Sequence, residues 1–225
     1  MTGSAISSKI AIVDYGAGNL KSVKKAFDYL GADSVVTMQP EIVASADKIV
    51  LPGVGHFSAL GALDNTGLRN VVLERVHSGK PFLGICLGMQ WLFEGSDEAP
   101  ECAGAGIFAG RCRQFPSTVK SPHVGWNSLA AQKGSRLLRN VAPESFVYFT
   151  HSFQAPVVAA TTAATEYGTK FSAVVEQGNI FGVQFHPEKS WNVGLLMLKN
   201  FCELNSNSNS DSNSKDLSFR EADQC

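Results

Sequence analysis

The chain has 225 residues, 44% of them hydrophobic, with 19 basic and 20 acidic side chains for a net charge of −1. That is enough chain for one sizeable α/β domain. The balanced charge offers no basic stripe for a nucleic acid and no polybasic run for an anionic membrane surface. No basic-then-apolar leader opens the sequence, and no apolar run approaches the roughly 20 residues that cross a bilayer, so a cytoplasmic protein is expected.

Residues 9–16, KIAIVDYG, read as a buried strand ending in a turn. The segment NLKSVKKAFDYLG follows, with Leu20, Val23, Phe27 and Leu30 at helical spacing and Gly31 as a stop. SVVTM and DKIVLPG are two further short strands. Residues 57–78 read as mainly helical. KPFLGIC is a strand that enters LGMQWLFEG, read as a helix. Strand and helix alternate here, which predicts a doubly wound, mostly parallel sheet with helices on both faces.

Past about residue 105 the pattern turns β-rich, in GIFAGRCRQFP, HVGWNSL, SFVYFTHSF and FSAVVEQGNIFGVQFHP. Antiparallel additions to the sheet are expected from these, with a hairpin at Gly178 and Asn179. SWNVGLLMLKNFCEL reads as a closing helix with Ser190 as its N-cap. Residues 1–8 are expected to be an extension, 9–204 the folded domain, and the Ser/Asn-rich residues 205–225 a disordered tail, because they hold too little apolar surface to offset ordering entropy.

The five cysteines are odd in number, irregularly spaced and without a C-x-x-C pair. A disulfide framework or structural zinc is therefore not expected. Cys86 differs in context. GICLGMQ has the form G-x-Nuc-x-G at a strand-to-helix turn, the nucleophile-elbow pattern with cysteine in place of serine. Such a turn lifts the sulfur out of the sheet and sets it at a helix N-terminus, which favours the thiolate. The N–H of Leu87 would face an oxyanion. A buried cysteine in a glycine-rich turn fits the same letters.

A thiol needs a base. His186 in QFHPEKS ends a strand, and Glu188 lies two residues on, where it can orient the imidazole. LPGVGHF ends a third strand at the same sheet edge. Its glycines let backbone N–H groups, including that of Val54, approach a ligand closely and supply a second oxyanion donor. DYGAGNLK lacks the third glycine of a dinucleotide site, and no Walker sequence occurs, so neither a cofactor nor a metal is expected.

PGVG, GICLGMQ and QFHPEKS, in that order, resemble the class I glutamine amidotransferases, a flavodoxin-like fold. DYGAGNLKSV, PHVGWN, YFTHSF and FHPEKS resemble, within that class, the glutaminase subunits of imidazole glycerol phosphate synthases in histidine biosynthesis. The resemblance implies hydrolysis of glutamine to glutamate and ammonia through a thioester on Cys86, with His186 and Glu188 completing a triad. It places glutamine contacts on Gly55, Gln90, Glu98, Ser152 and Phe153. It implies a heterodimer with a (β/α)₈-barrel cyclase that consumes the ammonia, with interface and gate residues at Asn19, Trp126, Tyr148 and Lys189.

Deleting residues 206–225 is expected to leave both the melting temperature and glutamine hydrolysis unchanged, because the segment has almost no apolar surface to dock. Thermal melts and turnover of the full and shortened chains check this.

Overall fold

The computed structural model describes residues 8–131 and 134–204. The expected extension, Ser8 apart, and the expected tail lie outside the described residues. In chain order the first half runs β1 (Ile10–Val13), α1 (Leu20–Tyr29), β2 (Ser34–Thr37), α2 (Pro40–Ser45), β3 (Lys48–Gly53), α3 (Ala62–Asn65), α4 (Leu68–His77), β4 (Phe82–Cys86) and α5 (Leu87–Gln90). The second half runs β5 (Phe93–Ser96), β6 (Ala99–Ala103), β7 (Phe108–Gln114), β8 (His123–Ser128), β9 (Ala130–Ala131), β10 (Phe146–His151), β11 (Phe153–Gln154), β12 (Thr161–Tyr167), β13 (Thr169–Gln177), β14 (Ile180–Val183) and α6 (Trp191–Cys202).

The main sheet has the order β2-β1-β3-β4-β14-β13-β12-β9. Strands β2 through β14 in that order are parallel, and β13, β12 and β9 are added antiparallel. β1, β3 and β4 are buried along their whole length. Such strands are covered on both faces and read as continuous apolar runs. Successive side chains point to opposite faces. Ile10 and Ile12 join one core with Phe27 of α1 and Leu198 and Phe201 of α6. Ala11 and Val13 join the other with Val43 of α2 and Leu68 and Val72 of α4. No helix among the described residues is long and apolar enough to cross a membrane.

The hairpin forms where expected. Gln177 pairs with Ile180, and Gly178 takes φ +56 in the two-residue turn. Three expectations need correction. LGMQWLFEG is not one helix: α5 ends at Gln90, and Phe93 begins a strand paired with Phe108. Trp91, Leu92 and Phe93 are all buried, and an apolar run without a polar face carries no period to separate helix from strand. The β-rich segments do not all extend the main sheet. β8 and β10 pair only with each other, and β11, β7, β5 and β6 form a separate four-stranded sheet. Ser190 stands at the N-cap position of α6 but makes no capping bond. Its hydroxyl donates to His186 O at 2.7 Å and accepts from Tyr148 N at 3.0 Å. Helix α2 and strands β6, β9 and β12 were not anticipated from the sequence.

The centre of the sheet is packed backbone on backbone. A Cβ at Gly88 would lie 1.8 Å from Leu51 O, and one at Gly84 would lie 2.4 Å from Gly88 O. Neither neighbour is a side chain that can swing away. Gly88→Ala is expected to lower the melting temperature by roughly 3–10 °C, the cost of overpacking a rigid site. Thermal denaturation checks this.

Candidate active site

Cys86 is the last residue of β4 and precedes α5, with φ +53 and ψ −104. An L-residue holds this region only when its surroundings impose it. The imposition comes from Gly84 and Gly88, which let α5 lie directly against β4 and β3. The thiol is 5% exposed. It points toward Thr150 O at 3.9 Å and receives the amide of Gln184, whose Nε2 lies 3.7 Å from Sγ.

β14 runs parallel beside β4, so the segment after it arrives at the same edge as Cys86. There His186 Nδ1 donates to Glu188 Oε1 at 2.9 Å, with the two side chains 2% and 1% exposed. This fixes the tautomer and leaves Nε2, which has no hydrogen-bond partner of normal geometry, for the sulfur. Burial by itself depresses the imidazole. The negative charge of a Cys86 thiolate, hydrogen bonding to it, and Glu188 outweigh that and push the pKa up to about 10. The imidazole therefore holds its proton through the neutral range. The ring is also held from behind, since His186 N donates to Tyr148 O at 2.9 Å and the Ser190 hydroxyl bridges His186 O and Tyr148 N.

A cavity of about 270 Å³ opens over the sulfur. Gly55, Gln90, Glu98, Ser152 and Phe153, the five residues expected to contact glutamine, all line it together with Cys86 and Leu87. Pro122, Thr150 and His151 complete the wall and were not singled out in the sequence as glutamine contacts. The Glu98 carboxylate accepts from Phe57 N at 2.8 Å, which ties it to the turn that follows PGVG. Val54 is half-buried and does not line the cavity. Gly53 pairs with Cys86 across β3 and β4, which brings the PGVG loop to the edge that carries Cys86.

His151 is not available as a base. Its Nδ1 lies 2.8 Å from Phe153 O, a group that can only accept, so Nδ1 carries the proton. Nε2 then accepts from His123 Nδ1 at 3.3 Å. Burial depresses both rings, His123 to about 4 and His151 to about 3. His56 is exposed, and its Nδ1 accepts from Ser58 N. Among the other described cysteines, burial raises the thiol pKa of Cys202 to about 11 and drives that of Cys112 higher still; it also raises that of Cys102, with Glu101 adding to the effect.

The four residues expected at an interface lie near this edge. Asn19 precedes α1 in a loop whose Gly18 approaches Pro52 and Gly53. Lys189 lies 5.7 Å over the Tyr148 ring, and Trp126 meets Tyr148 edge-on at 5.9 Å. Trp191, not singled out from the sequence, packs on Trp126 at 4.8 Å and is 78% exposed. With Phe146 and Val124, both more than half exposed, these make an aromatic face. The signal for Trp191 in the sequence was its place directly after HPEKS.

A cysteine elbow, a buried His–Glu pair and a glycine loop at one edge of a doubly wound sheet define a class I glutamine amidotransferase. The family model described as glutamine amidotransferase class-I matches residues 11–204, and the chain belongs to that family. Within it, the chain belongs with the proteins named imidazole glycerol phosphate synthase subunit HisH. It is 47% identical to the one from Methanothermobacter thermautotrophicus over 197 residues, 87% of this chain and 98% of that protein. It is 45% identical to the one from Chlorobium luteolum over 199 residues, 86% and 99%. In fold it also resembles the structure of PurLQS from Thermotoga maritima, with a TM-score of 0.67, 19% identity, and coverage of 86% of this chain and 97% of that chain.

Neutral His123 and His151 have a sign consequence. Their folded pKa values lie below the ordinary 6.5. The unfolded chain therefore binds more protons between that value and the folded ones. Stability is fully present above pH 6.5 and is lost on acidification through that window. The unfolding free energy is expected to fall from pH 6.5 to 4. His151→Gln should flatten that slope by up to about 1.4 kcal/mol per pH unit. Urea titrations of both proteins across this range check it.

Proposed function

We propose that the chain hydrolyses glutamine as the ammonia-supplying subunit of an imidazole glycerol phosphate synthase, with Cys86 as its nucleophile. The observation that carries this reading is a cysteine in a left-handed elbow, on the wall of a cavity and backed by the buried His186–Glu188 pair. The thiolate attacks the substrate's Cδ. The N–H groups of Leu87 and Val54 take the developing oxyanion. His186 passes its proton to the departing ammonia, leaving a thioester on Cys86. His186 then accepts a proton from water as the water attacks, and glutamate leaves. Glu188 keeps the imidazole in the required tautomer throughout. Glu98 is placed for the substrate's α-amino group, and Gly55, Gln90, Ser152 and Phe153 hold the rest.

The ammonia goes to a (β/α)₈-barrel cyclase, which docks on the face built by Trp126, Tyr148, Lys189 and Trp191, with Asn19 at the gate. Exposed aromatics in one cluster suit an interface core. Residues 9–204 are the unit that does this.

The PGVG loop offers control. Glycines at 53 and 55 allow the peptide at Val54 to turn either way, and Gly55 already sits at φ +97. With the N–H turned away, one oxyanion donor is missing, which costs on the order of 10²–10³ in rate. The loaded cyclase shifts the population toward the active orientation. Turnover of the free chain is expected to be very low and to rise steeply with the cyclase and its ligand, with little change in glutamine affinity. Steady-state kinetics with and without the loaded partner check this, and full turnover by the free chain overturns it.

Cys86→Ala is expected to abolish hydrolysis and to leave the fold and partner binding intact. His186→Asn should cost roughly 10²–10⁴-fold, and Glu188→Gln less. Near-normal turnover in His186→Asn would remove His186 from its role. A glutamine-like electrophile should label Cys86 and spare Cys102, Cys112, Cys202 and Cys225, and even labelling overturns the nucleophile assignment.

A further inference from the structure

Gln184 is a fully buried amide outside the triad, and its bonding is directional. Phe153 O, a carbonyl, accepts from Gln90 Nε2 at 2.9 Å. That fixes which end of the Gln90 amide is nitrogen. The same nitrogen lies 3.2 Å from Gln184 Oε1, so the Gln184 oxygen faces Gln90. The Gln184 nitrogen is thereby turned to Cys86 Sγ, at 3.7 Å. The relay runs Phe153 O, Gln90, Gln184, Sγ, and each orientation follows from the one before. Its backbone is fixed as well, with N donating to Ala173 O at 2.9 Å.

We propose that Gln184 is a further catalytic residue, a neutral N–H donor to the Cys86 thiolate that also holds the sulfur toward His186. The inference rests on reading Cys86 as the nucleophile. A buried donor aimed at an anion stabilises it more than a neutral pair would. It does so without adding a proton to the site, so the imidazolium remains the only acid beside the leaving group. The relay begins on the cavity wall at Phe153 and ends on the sulfur, whereas Gln184 itself does not line the cavity. The titratable groups around the thiol are Tyr15 beyond β1, His186 and Glu188 beyond β14, His151 at the end of β10 and Glu98 across the cavity. Burial holds Tyr15 protonated and His151 neutral through the neutral range. The pH midpoint of Cys86 reactivity thus reports on the thiolate–imidazolium pair and on whatever donates to it.

The test is the rate of Cys86 alkylation by iodoacetamide against pH, in the full chain, with the labelled cysteine located by peptide mapping. In Gln184→Met, similar in length but without a donor, the midpoint is expected to move up by about one pH unit. Turnover with the loaded cyclase should fall about tenfold with the KM for glutamine unchanged. Gln90→Met releases Gln184 from its orientation and should move the midpoint the same way by less. This second variant carries the test if Gln184→Met does not fold. Midpoints equal to the parent's in the folded variants overturn the Gln184 assignment and leave Cys86 as the nucleophile. A parent chain in which Cys86 is not the first cysteine alkylated overturns the nucleophile reading, and this inference with it.

Discussion

The close approach of α5 to β3 and β4 is the constraint from which the site follows. Gly88 lies over Leu51 O, and Gly84 under Gly88 O, at distances no side chain could share. With backbone on backbone there, β4 has no room to continue, and the chain must turn at Cys86. The turn needs φ +53, and one residue absorbs that strain. The sulfur leaves the sheet plane as a result. Sheet order then sets its neighbours: β3 on one side delivers PGVG, and β14 on the other delivers His186. Open α/β sheets place ligands at this carboxyl edge, and here three adjacent strands bring Cys86, His186 and the PGVG loop to it.

Burial treats the site's histidines in opposite ways. His186 and His151 are both nearly inaccessible. His151 bonds a carbonyl and another imidazole and packs among Phe115, Phe149 and Phe171, so desolvation wins and the ring stays neutral. His186 has Glu188 and the Cys86 sulfur, and those charges reverse the sign. A carboxylate and a thiol decide which buried imidazole keeps its proton at neutral pH. The neutral pair does structural work instead: His151 holds Phe153 O from one side while Gln90 holds it from the other, and so fixes that wall of the cavity.

The sequence made legible whatever had a strong local rule. β1, β3 and β4 announced themselves as apolar runs, and the Gly178–Asn179 hairpin by its turn chemistry. The elbow was visible because two glycines flank a nucleophile at a strand end. His186 and Glu188 became visible through their order with PGVG and GICLGMQ, which is a property of a family and not of spacing alone. What was missed lacked such a rule. The helix expected through Trp91 failed because residues buried on every side show no period. The β8–β10 ribbon was read as part of the main sheet because pairing partners are set by tertiary packing. Gln184 was passed over because an amide between two apolar residues gives no local sign of what it will touch. Ser190 was placed correctly in the chain and wrongly in its bonding, since its hydroxyl had a better use.

That use joins the two halves of the proposed function. The Ser190 hydroxyl holds Tyr148 N and His186 O at once, and Tyr148 O takes His186 N in return. Tyr148 is therefore bonded through its backbone to His186, while its ring faces Lys189 and Trp126 on the aromatic face. A contact that shifts that face acts on the segment holding the imidazole with no intervening flexible link. Coupling of this kind needs contiguous bonds and an element with two states. The bonds are present at Tyr148. In the proposed function the two-state element is the PGVG peptide, which β3 brings to the side of Cys86 opposite β14. On that proposal the face supplies rigidity and the loop supplies the choice, so a partner must touch both to set the one against the other.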